Sequence, residues 1–252
     1  MFEAELKIAV EAAKAAGDFL VKRINLLVDS QDGKDIKMAA DKQSESIIVE
    51  KLKKTGIPIL SEEAGLIANS DSDKLCWIVD PIDGTLNYSR GLGGMCCVSI
   101  ALWKGGHPAL GVINRFERNE IYTGVVGASA KINGATLKTS GIARIDQAVL
   151  ATGFPVGRDY SSAGLADFIT NIQRFKKIRM LGSAALMATF VATGAVDVYM
   201  EDGIMLWDIA AAAAIVLAAG GEFKYLPRGN NKCLCVMYAT KDLAEACDVE
   251  GI

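Results

Sequence analysis

The chain has 252 residues, enough for one large domain or two modest ones sharing a core. Apolar residues make up 51% and charged residues 23%, which excludes a disordered chain and points to a globule. The net charge of −3, with no basic block anywhere, provides no face for a polyanion, so no nucleic-acid partner is expected.

In chain order, residues 3 to 28 read as an amphipathic helix with Leu6, Ala9, Val10, Ala13, Ala16 and Leu20 on one face. Asp29 to Gly33 breaks it, and a second helix follows from about Asp41 to Lys54, ended by Gly56 and Pro58. Ile57 to Leu60 and Leu75 to Val79 read as short buried strands around a polar loop, Asn69 to Asp73. Val98 to Trp103, a Gly105-Gly106 turn, Ala109 to Ile113 and Ile121-Tyr122 give an antiparallel series, and Asn133-Gly134 is a hairpin signal. Strands and helices then alternate: Ala148 to Thr152, Ala163 to Phe175, Ile178 to Leu181, Ala184 to Thr193, Val196 to Met200 and Ile209 to Ala219. The expectation is an α+β half over residues 1–140 and an α/β half over 141–252, packed together and jointly forming the active site.

The cysteines (Cys76, Cys96, Cys97, Cys233, Cys235 and Cys247) form no C-x-x-C pair, and a reducing cytoplasm is the simplest reading. Met1 to Val10 carries Glu3, Glu5 and Lys7 and lacks the apolar core of a signal peptide. Ile209 to Gly220, the longest apolar run, falls short of the roughly 20 residues that span a bilayer, so no membrane partner is expected.

The segment Trp77-Ile-Val-Asp80-Pro81-Ile82-Asp83-Gly84-Thr85-Leu-Asn87-Tyr88 carries the chemistry. A strand ending in Asp80, a bend at Pro81 and Asp83 three residues later let two carboxylates converge on one point, and hard cations such as Mg²⁺ take oxygen ligands. The Ile82 carbonyl lies between them as a further ligand, while Gly84 and Thr85 open a helix start suited to an anion. D-x-x-D-G alone also reads as a simple turn; the added Pro81, Thr85 and Asn87 make the string far more specific.

That segment resembles the signature of the inositol monophosphatase family, within the lithium-sensitive, magnesium-dependent sugar and polyol phosphatases. The resemblance covers nearly the whole chain. Ser61-Glu62-Glu63 resembles the family's acidic pair, which implies Glu62 as a metal ligand with a catalytic part. Ala40-Asp41-Lys42 resembles its A-D motif, implying that Asp41 orients the attacking water. Leu206-Trp207-Asp208-Ile-Ala-Ala with Ala218-Ala219-Gly220-Gly221 is similar to its second signature and implies Asp208 as a ligand of the second metal. Gly182, Ser183, Ala184 and Glu201 match substrate-lining positions, joined by Asp83, Gly84 and Thr85. The implied metal set is Glu62, Asp80, Ile82, Asp83 and Asp208, holding two or three Mg²⁺ ions. The resemblance further implies an αβαβα layered sandwich, of the type shared with fructose-1,6-bisphosphatase, and a homodimer.

Each residue has a plainer reading: Asp208 as a helix cap, Glu62-Glu63 as a solvated loop, Asp41 as a helix start, Glu201-Asp202 as an exposed turn, Gly182 as a break. Five of them in family order weigh against coincidence. Crowded carboxylates would take up protons at neutral pH unless cations neutralised them, which independently favours a metal-assisted reaction. The mechanism expected is in-line attack by a water that Thr85 and Asp41 help activate, without a phosphoenzyme. His107 is the only histidine, no cysteine has an arginine six positions on and there is no G-x-x-x-x-G-K, so other phosphoryl-transfer classes lack their residues. Met38, Leu86 and Gly93-Gly94 depart from the family pattern around the substrate rim. The substrate expected is a small phosphorylated metabolite, inositol phosphate first. Fructose 1,6-bisphosphate, histidinol phosphate and 3′-phosphoadenosine 5′-phosphate are alternatives, and a regulatory binding protein of the same fold is the reading from a different class.

Overall fold

The computed structural model describes residues 2–22, 28–32, 35–67, 74–154 and 159–247. Helix α1 (Glu3–Leu20) buries Ala9, Ala12, Ala13, Ala16 and Leu20 on one stripe, as the helical spacing predicts. It ends earlier than predicted, with the chain turning at Val21. β1 (Val28–Asp32) then pairs antiparallel with β2 (Asp35–Met38), where a helix end and a breaker had been expected. Val28, placed at the end of the predicted helix, belongs instead to a strand, a β-branched residue that fits that period as well. The expected polar loop Asn69 to Asp73 lies outside the described residues.

α2 (Ala39–Leu52) turns Asp41, Ser44 and Glu45 inward together with Ile48, Val49 and Leu52. A short 3₁₀ turn over Lys53–Thr55 closes on Gly56, whose φ of 69° is left-handed. β3 (Ile59–Ser61) pairs parallel with β5 (Leu75–Asp83) and antiparallel with β4 (Gly65–Ile67). After α3 (Thr85–Arg90) come β6 (Cys97–Lys104), β7 (His107–Arg115), β8 (Glu120–Val125), β9 (Ala130–Ile132) and β10 (Ala135–Thr136). Together they form an eight-stranded sheet in the order β10-β9-β8-β7-β6-β5-β3-β4. Asn133 and Gly134 both take positive φ between β9 and β10, as the Asn-Gly hairpin signal predicts. His107 opens β7 opposite Lys104.

The second sheet draws on β11 (Val149–Ala151), β12 (Lys177–Arg179) after α4 (Ser162–Ile172), and β13 (Val198–Met205) after α5 (Ala184–Ala192). α6 (Leu206–Ala218) leads into a hairpin, β14 (Glu222–Gly229) and β15 (Lys232–Tyr238), and α7 (Lys241–Ala246). The order is β12-β11-β13-β15-β14. This terminal hairpin and α7 have no counterpart among the predicted elements.

The layers stack as α1 and α2, the eight-stranded sheet, α5 and α6, the five-stranded sheet, then α4 and α7: a mixed αβαβα sandwich. α6 is apolar all round and is buried from Ile209 to Val216, as a helix between two sheets must be. Its alanines let it approach closely. A Cβ on Gly111 of β7 would lie 2.1 Å from the Ala211 carbonyl oxygen, and one on Gly124 of β8 2.5 Å from Ile215 Cα. Trp103 and Ser99 of β6 donate to the Ala210 and Trp207 carbonyls at 3.2 and 3.3 Å, fixing the helix over the sheet. Substituting Gly111→Ala should therefore lower stability by about 2–3 kcal/mol, seen as a lower urea midpoint with unchanged slope.

Candidate active site

β5 was expected to stop at Asp80, but it runs on to Asp83, with a shift in its pairing to β6: Asp80 lies opposite Ser99 and Asp83 opposite Cys97. Three steps along β5 thus match two along β6, which is a bulge. Residues three apart in a regular strand face opposite sides; the extra residue re-aims Asp83 so that both carboxylates meet. The Ile82 N–H donates to Asp80 Oδ1 at 2.9 Å, and Ser44 Oγ of α2 donates to the Pro81 carbonyl at 2.9 Å, pinning the bulge from behind.

Asp208 reaches the same point from the other sheet's side. It occupies the third position of α6, where its Oδ2 accepts from the Met205 N–H at 3.2 Å, so it caps the helix start while its carboxylate faces the cluster. Carboxylate oxygens of Asp80, Asp83 and Asp208 all lie within 4.8 Å of one another. Asp83 is further held by α5: Ser183 Oγ donates to Asp83 Oδ2, and the N–H groups of Ala184 and Ala185 donate at 3.2 and 3.1 Å. The positive end of a nine-residue helix thus points at a carboxylate that belongs to the first sheet.

The electrostatics are strained. Burial pushes the Asp80 carboxyl well above its usual range, and Glu62, Asp83 and Asp208 push it further. Asp208 is raised well above its ordinary value by burial, then by Asp83, Glu62 and Glu201, against the Met205 hydrogen bond. Asp83 rises from 3.8 to about 6 through burial, moderated by the bonds from Ser183, Ala185, Ala184 and Cys97. Among the described residues, no cationic side chain figures in the leading causes for any of the three.

A cavity of about 760 Å³ opens over this cluster. Glu62, Ile82, Gly84, Thr85, Gly182, Ser183, Ala184 and Glu201 line it together with the three aspartates. Among the expected site residues, Asp41 alone is not on its wall; it sits buried behind Thr85, whose hydroxyl donates to the Ile82 carbonyl at 2.9 Å and approaches Asp41 Oδ1 at 3.3 Å. Gly84 has a φ of 86°, and a Cβ there would meet the Met95 carbonyl at 2.8 Å, so both its conformation and its surroundings demand glycine. Asn87 Nδ2 bridges the Met95 and Leu181 carbonyls at 2.8 and 2.7 Å, tying the turn before β6 to the turn before α5.

Several residues in this arrangement were not singled out from the sequence. Glu45 accepts from Ser61 Oγ and from the Ala64 N–H at 3.1 Å, so it brackets the segment carrying Glu62. Asp41, Ser44 and Glu45 sit at i, i+3 and i+4, one face of one helix, and that spacing was the available signal. Cys97 Sγ donates to Asp83 Oδ2 at 3.8 Å. Lys232 also lines the cavity, carried by the hairpin that was not predicted.

The sequence profile of the inositol monophosphatase family matches residues 2–246. The chain belongs to that family. A Nus factor SuhB of Xylella fastidiosa is 38% identical to this family member over 223 residues, 86% of this chain and 80% of that one. An inositol-1-monophosphatase of Mesorhizobium japonicum is 36% identical over 223 residues, with 86% and 83% covered. Among solved structures, the inositol monophosphatase from Anabaena (Nostoc) superposes with a TM-score of 0.82 at 29% identity, covering 100% of this chain and 99% of that one. The extragenic suppressor protein suhB from Bartonella henselae gives 0.83 at 30%, covering 97% and 96%.

The donors present fit a hard divalent cation: carboxylate oxygens and the Ile82 carbonyl, which keeps a lone pair beside its Thr85 bond. Mutual repulsion in a buried site is what such an ion relieves. Glu45→Ala should loosen the Glu62 segment and weaken divalent-cation binding about tenfold, read by calorimetric titration, with the circular dichroism spectrum unchanged.

Proposed function

We propose that this family member is a magnesium-dependent phosphomonoesterase acting on inositol monophosphate or a similar small polyol or sugar phosphate. The observation that carries the reading is the meeting of Asp80, Asp83 and Asp208 within 4.8 Å, under a cavity large enough for a phosphorylated ring. Glu62, Asp80, Asp83, Asp208 and the Ile82 carbonyl would hold two or three Mg²⁺ ions. Bound magnesium would neutralise the carboxylates, hold the phosphate oxygens and lower the pKa of a coordinated water.

The chain's own groups do the rest. Thr85 accepts a hydrogen bond from the attacking water; its single proton, directed at the Ile82 carbonyl in the resting site, turns to Asp41, the buried acceptor behind it, as the water is activated. The water oxygen adds to phosphorus in line with the ester oxygen while its proton passes through Thr85 towards Asp41, the P–O bond breaks, and the leaving alkoxide takes up a proton from solvent; no phosphoenzyme forms. Gly84 lets its backbone come close to the phosphate. The Ser183 hydroxyl and the Ala184 amide are already engaged by Asp83, so this segment offers the substrate chiefly the bend at Gly182. Glu201, buried on β13 against Gly153, accepts from substrate hydroxyls. The six thiols, all free, suit a reducing cytoplasm, and the family resemblance suggests a homodimer, which light scattering would test.

A second reading has its own observation: several relatives, at 34–38% identity, carry the name Nus factor SuhB. In that reading the chain binds a partner and catalysis is dispensable. Phosphate release from a panel of monoesters with and without Mg²⁺ separates the two. The phosphatase reading expects release that needs magnesium and falls at least about a hundredfold in Asp83→Asn. A wild type that releases nothing from any ester leaves the binding reading.

A stability measurement follows from the raised carboxyls. Because Asp83 titrates near 6 in the fold and near 3.8 unfolded, the native state holds the extra proton between those values, and stability drops as pH rises through that window. The gain in melting temperature from Mg²⁺ over chelator should therefore be larger at pH 7 than at pH 5. Asp80→Asn should raise the melting temperature of the chelated protein by roughly 2–4 °C at pH 7 and shrink the magnesium gain.

A further inference from the structure

Among the described residues that line the main cavity, five carry carboxylates (Glu62, Asp80, Asp83, Glu201 and Asp208) and only Lys232 carries a positive charge. A second cavity of about 380 Å³ adjoins it, and Thr152, Gly203 and Lys232 line both. Lys232 therefore stands where the two spaces meet.

Its backbone is held there. It opens β15 directly after the turn at Asn230 and Asn231, which take φ of 50° and 60°. The Asn231 carbonyl accepts from the Leu206 N–H at 2.8 Å, two residues before Asp208, so the hairpin tip is tied to the helix start that feeds the cluster. On the other strand, Arg228 forks onto Asp202 at 3.0 and 3.2 Å. That pair spends the Arg228 charge, and Asp159 in the second cavity is occupied by the Ser161 N–H and hydroxyl. Asp167, exposed on α4, lines the second cavity but not the shared mouth. The Lys232 side chain has no hydrogen bond or ion pair among the described residues, so it is the unspent cation at the junction.

We propose that Lys232 forms a second anion subsite, which binds a negatively charged group on the leaving-group end of the substrate. The inference rests on the phosphomonoesterase reading and deepens it: the preferred substrates carry a second anion, a carboxylate or a second phosphate, in addition to the phosphate that is cleaved. An anionic end entering this cavity meets the Glu201 carboxylate, which is not among the metal-holding residues, as a like charge. Among the described lining residues, Lys232 is the one cation positioned to offset that repulsion, and a compact ammonium binds either anion without a fixed geometry.

Three six-carbon open-chain substrates that differ at one end test it: sorbitol 6-phosphate with a free hydroxymethyl, 6-phosphogluconate with a carboxylate, and sorbitol 1,6-bisphosphate with a second phosphate. The wild type should favour the two end-charged compounds over sorbitol 6-phosphate by about tenfold in kcat/KM, expressed in KM, the size of one charge-assisted hydrogen bond. Lys232→Met should erase that ratio and Lys232→Arg should keep it. Preference for one charged end alone identifies which anion is read. A wild-type ratio near one, or a ratio that survives in Lys232→Met, overturns the proposal. If no ester is hydrolysed at all, the phosphatase reading fails separately. Calorimetric titration of 6-phosphogluconate into wild type and Lys232→Met with Ca²⁺ present then decides the subsite, equal affinities overturning it.

Discussion

Burying carboxylates that repel one another is the constraint around which this molecule is arranged. Asp80 is 1% exposed and Asp83 6%, and among the described residues neither forms an ion pair with a cationic side chain. Charges taken out of water in this way are costly, and proteins tolerate them when hydrogen bonds or ions satisfy them. Here the local bonds come from everywhere at once: the N-terminus of α5 and the Ser183 hydroxyl on Asp83, the Ile82 amide on Asp80, the Met205 amide on Asp208. Those bonds temper the repulsion without removing it, since all three carboxyls still lie above their ordinary range.

The same constraint explains why the two sheets need each other. β5 of the first sheet brings Asp80 and Asp83, and α6, entered from β13 of the second, brings Asp208. α6 sits between the sheets because it is apolar on every side and because glycines at 111 and 124 admit its backbone. Asn87, bonded to the Leu181 carbonyl across 94 positions of sequence, and Asp83, bonded to Ser183, clamp the two turns around the cavity. A site held from both sheets is fixed in place by hydrogen bonds from each side, at the cost of crowding carboxylates that repel.

α2 has an unusual division of labour. Its hydrophobic residues Ile48, Val49 and Leu52 hold it to the first sheet, while Asp41, Ser44 and Glu45, a turn earlier, reach the three segments that carry Thr85, the Asp80–Asp83 bulge and Glu62. Relatives named for inositol phosphate chemistry and relatives named as Nus factors match the chain at similar identity, so family membership alone does not choose between the two readings.

Much of the site was legible because its chemistry lies in short strings. Asp80, Ile82, Asp83, Gly84 and Thr85 are neighbours in sequence, and Leu206-Trp207-Asp208 opens a helix whose apolar run is evident. The first helix was overextended because a short apolar stretch fits strand and helix alike. The terminal hairpin was missed although Asn230-Asn231 marks its turn, because β14 is half exposed, contains Pro227 and lacks clean alternation. Glu45 and Ser44 were not singled out, since polar residues reveal burial only once their partners from Ser61 and Pro81 are in place. The sequence by itself therefore determined the acidic strings, the glycine turns and the alternation of elements, all of which depend on neighbours a few residues apart. Only the tertiary structure decided that the bulge after Asp80 aims both aspartates one way, that α5 caps Asp83, and that Lys232 stands at the cavity mouth. Those depend on hydrogen bonds and packing between segments up to a hundred residues apart, whose register no local pattern encodes.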